Sequence, residues 1–197
     1  AYGTFFSAFL DDWNAEPLVA ELGTHWHTLR VGFKPAPAAN GSITAMTAID
    51  KIMRAYGLVA DEIEQVTAYV SENTLHHCGW PYEPARIQSV LSAQMNLRYG
   101  IAVMALDRNV GAAQFNESRI RAADVLAFVS RIDVAHEPGF EGEGGRYRVA
   151  CRMRVKCRNG AEHESIVRHR KGSPEDPMSE VELMEKFLGL SRASAGD

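Results

Sequence analysis

Lys34 opens the run Lys34-Pro35-Ala36-Pro37. Two prolines fix φ and remove two N–H donors, so the backbone turns rigidly and no strand ladder continues through it. A lysine on such a turn can present its ammonium to a carboxylate, or give up a proton where desolvation lowers its pKa. The plainer alternative is a solvated surface lysine. A second group of reactive side chains lies at His76, His77 and Cys78, followed by Gly79, Trp80, Pro81 and Tyr82. Imidazole titrates near neutral pH, which suits a general acid or base. Its alternative is a loop histidine bonded to backbone. On an extended loop from Ser71 to Pro84, adjacent histidines point opposite ways, so at most one of them joins a given site. Lys34, His76 and His77 are the candidate catalytic residues; Lys34, Tyr82 and Arg86 are the candidate substrate-binding residues. No metal site is expected. No His-x-x-x-His spacing or carboxylate partner accompanies the histidine pair, and Cys78, Cys151 and Cys157 contain no CxxC.

The chain that must position these groups has 197 residues, 46% hydrophobic and 23% charged. That composition is ordinary for a soluble globular protein and excludes disordered and fibrous classes. With 21 basic and 25 acidic residues the net charge is −4, which speaks against broad nucleic-acid binding. No run of about 18 apolar residues is present to span a membrane. The start, Ala1 to Phe6, lacks the charged and cleavage regions of a signal peptide. An odd cysteine count predicts reduced thiols and a cytoplasmic protein. The first segment, Phe5 to Trp13, carries Phe5, Phe6, Ala8, Phe9, Leu10 and Trp13. It reads as a helix apolar on more than one side, which needs a partner. It lacks a leading Met, so the N-terminal part of a longer protein is expected before it.

The remaining elements follow from periodicity and punctuation. A helical turn over Pro17 to Leu22 closes at Gly23, and Thr24 to Phe33 predicts a strand. Ser42 or Thr44 caps a helix to about Tyr56, with Ile43, Met46, Ile49 and Met53 on one face and Gly57 as its stop. Strands are predicted at Ile63 to Val70 and Ile132 to Ala135, the latter after a short helix from Asp124. Ala85 to Asp107 reads as the longest helix. From residue 146 to 158 basic side chains alternate with Tyr147, Val149, Cys151, Met153, Val155 and Cys157. That is a strand with one apolar and one basic face. Nine Lys/Arg against two Glu fall between residues 146 and 171, yet no aromatic platform shares the basic face. A solvated sheet face, or attraction of anionic substrates, is the reading that fits. Asn159-Gly160 turns the chain into a return strand from Glu162 to Arg170. A two-residue turn puts Glu162 and Glu164 on the apolar face. A three-residue loop pairs Arg158 with Glu162 and Lys156 with Glu164, and charge favours it. Ser179-Glu180-Val181-Glu182 is a capping box opening a helix with Val181, Met184, Phe187 and Leu188 inward. The fold class is α+β: a small mixed α/β domain with an antiparallel hairpin and flanking helices.

Four segments in order resemble one known family, MmgE/PrpD. Phe33-Lys34-Pro35-Ala36-Pro37 is similar to its Lys-x-x-Pro turn. Ala93-Gln94-Met95-Asn96-Leu97-Arg98-Tyr99 with Ala105-Leu106-Asp107 is similar to its central helix. Phe115 to Arg131, and Lys171-Gly172-Ser173-Pro174-Glu175-Asp176-Pro177 through Lys186-Phe187, resemble its C-terminal signature. The family includes 2-methylcitrate dehydratase, cis-aconitate decarboxylase and iminodisuccinate epimerase. The resemblance implies a two-domain homodimer with a large helical domain, a smaller α+β domain and a cleft between them. It matches only the C-terminal part. Residues 1–23 are then a helical segment of the larger domain, 24–175 the α+β domain, and 176–197 a helix packing back on the helical domain. It implies a lyase acting without cofactor or metal on a small di- or tricarboxylate, by dehydration or decarboxylation, with this chain alone inactive. Lys34 matches the family's site lysine, and His76 and His77 lie on the segment that approaches the cleft. Ala39 stands where the family often has Cys or His, and no histidine occurs from Asn40 to Tyr56. A non-catalytic carboxylate-binding or dimerisation module, or an epimerase of the same family, is the alternative.

Overall fold

The computed structural model describes residues 5–9, 14, 16–87, 89–142 and 145–195. The chain divides into two compact units, residues 1–31 and 32–197. In the first, Phe6–Ala8 forms a 3-10 turn, and the rest of the expected helix, residues 10–13, lies outside the described residues. Helix α1 spans Glu16–Val19. The strand expected over Thr24 to Phe33 is instead a 3-10 turn at His27–Arg30. The physical reason is pairing: Trp26 and Leu29 are 61% and 84% exposed, and strand-forming side chains make no strand without a neighbour to bond and a face to bury.

The second unit is a four-stranded mixed sheet with helices on one face. Strands β1 (Ile63–Val70), β2 (Ile132–His136), β3 (Cys151–Cys157) and β4 (Glu162–Val167) lie in the order β2-β1-β3-β4. β2 runs parallel to β1; β3 and β4 are antiparallel to their neighbours. Period-two burial sets the two faces. Val66, Ala68, Val70, Cys151, Met153 and Val155 are sealed inside, while Glu64, Arg154 and Glu164 face out. Against the buried face lies α2 (Asn40–Tyr56), whose Ile43, Met46, Ile49 and Met53 are all buried, as their spacing predicts. Gly57 ends it in the left-handed region at φ 66°, its N–H bonded to the Met53 carbonyl. Ser42 and Thr44 do not cap it: both are buried inside its first turn, and Ala39 is the N-cap with no side-chain bond.

Between β1 and β2 the chain runs through α3 (Glu72–Cys78), α4 (Val90–Gln94), α5 (Leu97–Asp107) and α6 (Ala123–Val129). Two expectations change here. The loop from Ser71 to Pro84 contains a helix, because Ser71 Oγ accepts from the Thr74 N–H at 3.1 Å and the Glu141 carboxylate takes the Glu72 N–H at 2.6 Å. Both ends of its first turn are thereby satisfied. The long helix from Ala85 to Asp107 is broken. Asn96 caps α5 by accepting from Tyr99 N–H at 3.1 Å and spends its amide on the Trp80 carbonyl at 2.8 Å. Arg98 also donates to Trp80, at 3.0 Å, and to the carbonyls of Gly79 and Ile132. Burial pushes the Arg98 guanidinium below its usual pKa, against the opposing pull of Asp133.

The hairpin takes a three-residue loop, and the glutamates join the basic face. The register differs from the expected one: Lys156 pairs with Glu162 and Arg154 with Glu164, because Cys157 N–H already bonds the Ala161 carbonyl. The strand also starts later than its alternation suggests. Residues 146–149 are turn, and the ladder begins at Cys151. Helix α7 (Glu180–Ala195) opens with the expected capping box: Ser179 N–H donates to Glu182 at 2.7 Å and Glu182 N–H to Ser179 Oγ at 3.2 Å. Its apolar residues are not inward; Val181, Met184 and Phe187 are 67%, 57% and 64% exposed. Cys78, Cys151 and Cys157 are buried free thiols, and among the described residues no helix is long and apolar enough to cross a membrane.

Candidate functional site

The proline turn is held from three directions. Its own backbone closes with Ala38 N–H on the Ala36 carbonyl. Ala39 N–H donates to the Gln94 carbonyl at 2.9 Å, tying the turn to the end of α4. From the C-terminal segment, Arg170 donates to the Phe33 carbonyl at 3.1 Å and Lys186 of α7 to the Lys34 carbonyl at 2.6 Å. Gly172, at φ 80°, lies so close that a Cβ there would sit 1.8 Å from the Phe33 oxygen. The Lys171-Gly172-Ser173-Pro174 stretch is therefore a buttress for the lysine turn, and only glycine satisfies both the angle and the approach.

Lys34 itself reaches across the turn. Its Nζ donates to the Ala38 carbonyl at 3.2 Å and lines a cleft of about 230 Å3 together with Ala39, Asn40, Gly41, Asn73, Thr74, His77, Cys78, Met95, Arg148 and Val149. That volume is below the range of about 300–1,000 Å3 usual for drug-sized ligands, and suits a smaller one. Three of the lining residues, Lys34, His77 and Arg148, are basic in type, and none is acidic. The cleft also receives the N-terminus of α2 at Asn40 and Gly41. The N-cap, Ala39, makes no side-chain bond; the Ser42 N–H is directed at the Cys78 sulfur, and the N–H groups of Asn40 and Gly41 with the positive end of the helix dipole are left for solvent or an anion. Gly41 permits the close approach of α3: a Cβ there would fall 2.5 Å from Thr74 Cγ2. Cys78 contributes no nucleophile at neutral pH, since burial raises its thiol to about 11.

The sequence candidates separate. Lys34 and His77 come together in the cleft. His76, its neighbour on α3, is exposed and pairs along the helix with Glu72 at 3.7 Å. Adjacent residues on a helix diverge by about 100°, so the two histidines face different sides here as they would on an extended segment. Tyr82 is buried, and its hydroxyl donates to the Ile120 carbonyl at 2.8 Å; it packs against Tyr99 in the core and is absent from the cleft lining. Arg86 is exposed on a 3-10 turn, Pro84–Arg86, and is likewise absent from the lining. Arg148 was hidden in the alternating basic pattern, in phase with strand residues although it sits on a turn. Among the described residues one group combines metal-ligating types, Glu21, His25 and His27, with ligand atoms within 4.8 Å of one another and all three side chains exposed. Tetrahedral zinc ligands lie about 3.4 Å apart, so the group is open as it stands.

A turn lysine, a helix N-terminus and a basic cleft with no acidic lining residue characterise this small α+β domain. Residues 36–197 match the family model for the MmgE/PrpD C-terminal domain, and the chain belongs to the MmgE/PrpD family. It is 26% identical over 204 residues to a cis-aconitate decarboxylase of Aspergillus terreus (strain NIH 2624 / FGSC A1156). It is 24% identical over 204 residues to a second Aspergillus terreus cis-aconitate decarboxylase. Each match covers 97% of this chain and 41% of the relative's length.

Proposed function

We propose that this chain supplies the carboxylate-binding part of a MmgE/PrpD lyase acting on a small di- or tricarboxylate, by decarboxylation or dehydration. The observation that carries the reading is the cleft in which Lys34 and His77 meet the N-terminus of α2 with no acidic side chain among them. Removing a group beside an acidic C–H requires cations to hold carboxylates, a base for the proton and an acid for the leaving group. Lys34 and the first-turn amides of α2 hold the substrate; His77 is placed to move a proton. The likeness to cis-aconitate decarboxylases favours decarboxylation. The exposed apolar residues of α7, Val181, Met184 and Phe187, form the face that a larger helical domain would cover, completing the cleft with further acid and base groups.

Incubating the full-length protein, including the helical domain that completes the cleft, with cis-aconitate or 2-methylcitrate, and following substrate loss by NMR, tests the reading. Turnover abolished by Lys34→Ala supports the lyase. Saturable binding without turnover favours a carboxylate-binding module that has no chemistry of its own. Neither binding nor turnover removes the proposal.

A further inference from the structure

Arg148 combines a fixed backbone with an unanswered charge. Its carbonyl accepts hydrogen bonds from Ser71 Oγ at 2.6 Å and Thr74 Oγ1 at 2.7 Å. The next carbonyl, Val149, accepts from Thr44 Oγ1. All three hydroxyl residues are buried, so the turn at 146–149 is pinned to the start of α3 and the first turn of α2. Losing a buried hydroxyl bonded in this way strands a carbonyl. The guanidinium is the opposite. Among the described residues no hydrogen bond or ion pair engages it, whereas Arg54, Arg119 and Arg152 each meet a carboxylate at 2.8 Å or less. It lines the cleft that holds Lys34 and His77. Arginine suits this place because its planar fork matches a carboxylate in two parallel bonds, and a held backbone lowers the cost of orienting it.

We infer that Arg148 is a second substrate-binding residue, which takes one carboxylate of a polycarboxylate in a bidentate contact while Lys34 holds another. Discrimination against monocarboxylates then resides in this pair. The inference rests on the reading of the cleft as a carboxylate site, and the test separates the two. Titration calorimetry on the full chain uses tricarballylate as the tricarboxylate and butyrate as the monocarboxylate. Arg148→Ala weakens tricarballylate about tenfold, leaves butyrate unchanged, and leaves the melting temperature unchanged because the side chain has no partner to lose among the described residues. Arg148→Lys keeps the charge without the fork and recovers part of the affinity. Unchanged tricarballylate binding in Arg148→Ala overturns the role of Arg148 and leaves the cleft standing. Equal weakening of both anions overturns the discrimination. A wild-type chain that binds neither anion overturns the inference and the carboxylate site together.

Discussion

Two regions of this domain are rich in cations, and they treat them oppositely. On the outer face of the sheet every basic side chain of β3 has a carboxylate. Arg152 meets Glu137 at 2.5 Å and Glu164 at 3.2 Å, Arg154 meets Glu164 at 3.7 Å, and Lys156 meets Glu64 at 2.9 Å. Arg152 also lies over the Tyr69 ring, 3.9 Å from its centroid. In the cleft Lys34 has only a carbonyl, and Arg148 has no partner among the described residues. Charge density does not distinguish the two regions; compensation does. A surface whose cations are already matched contributes stability in small increments. A concavity whose cations are unmatched keeps its potential for a ligand.

The largest expected effect attacks the unmatched side. Lys34→Ala lowers turnover of a cis-aconitate-type substrate about a thousandfold, as removal of a substrate-holding or proton-moving group does, and steady-state kinetics on the full-length protein read it. Next comes the frame beneath the cleft. Arg98→Met deprives the carbonyls of Gly79, Trp80 and Ile132 of their donor and costs about 3 kcal/mol in urea unfolding. Gly41→Ala drives a Cβ into Thr74, costs about 2 kcal/mol, and weakens anion binding by shifting the hydroxyl that holds Arg148. The matched side yields the smallest change: Glu164→Gln costs about 0.5 kcal/mol, lost at high salt, with anion binding unaltered. Its pH counterpart lies at Glu137, whose carboxyl the hydrogen bond from Arg152 holds below the usual range. A depressed folded pKa gives stability that is present above the ordinary carboxylate pKa and lost as pH falls through the lowered value. Glu137→Gln therefore flattens the acid limb of the stability curve. If Glu164→Gln instead impaired anion binding as much as Arg148→Ala, the contrast between the regions would collapse.

Much of this was legible in the residues. Strand formers between turn and helix signals located β1 and β2, Gly57 and the Ser179 box marked the relevant ends of α2 and α7, and the proline turn singled out Lys34. What was hidden depended on partners distant in sequence. Thr24 to Phe33 carries strand formers, but among the described residues no strand pairs with them. Asn96 reads as one more helical residue until the Trp80 carbonyl arrives to take its amide. Arg148 keeps the phase of Arg152 and Arg154, yet Ser71, Thr74 and Thr44 replace the ladder there, so period alone assigns it to the wrong face. That at most one histidine joins a site was legible, but that it is His77 and not His76 emerged only with the α3 geometry.

The bond from Lys186 to the Lys34 carbonyl joins residues 152 positions apart. The anchorage of the proline turn is therefore shared with the far end of the chain. Trimming α7 would leave the Phe33 carbonyl with Arg170 and the far side of the turn with the Gln94 carbonyl, and the slackened bend would register as poorer ligand retention although every residue lining the cleft had been kept.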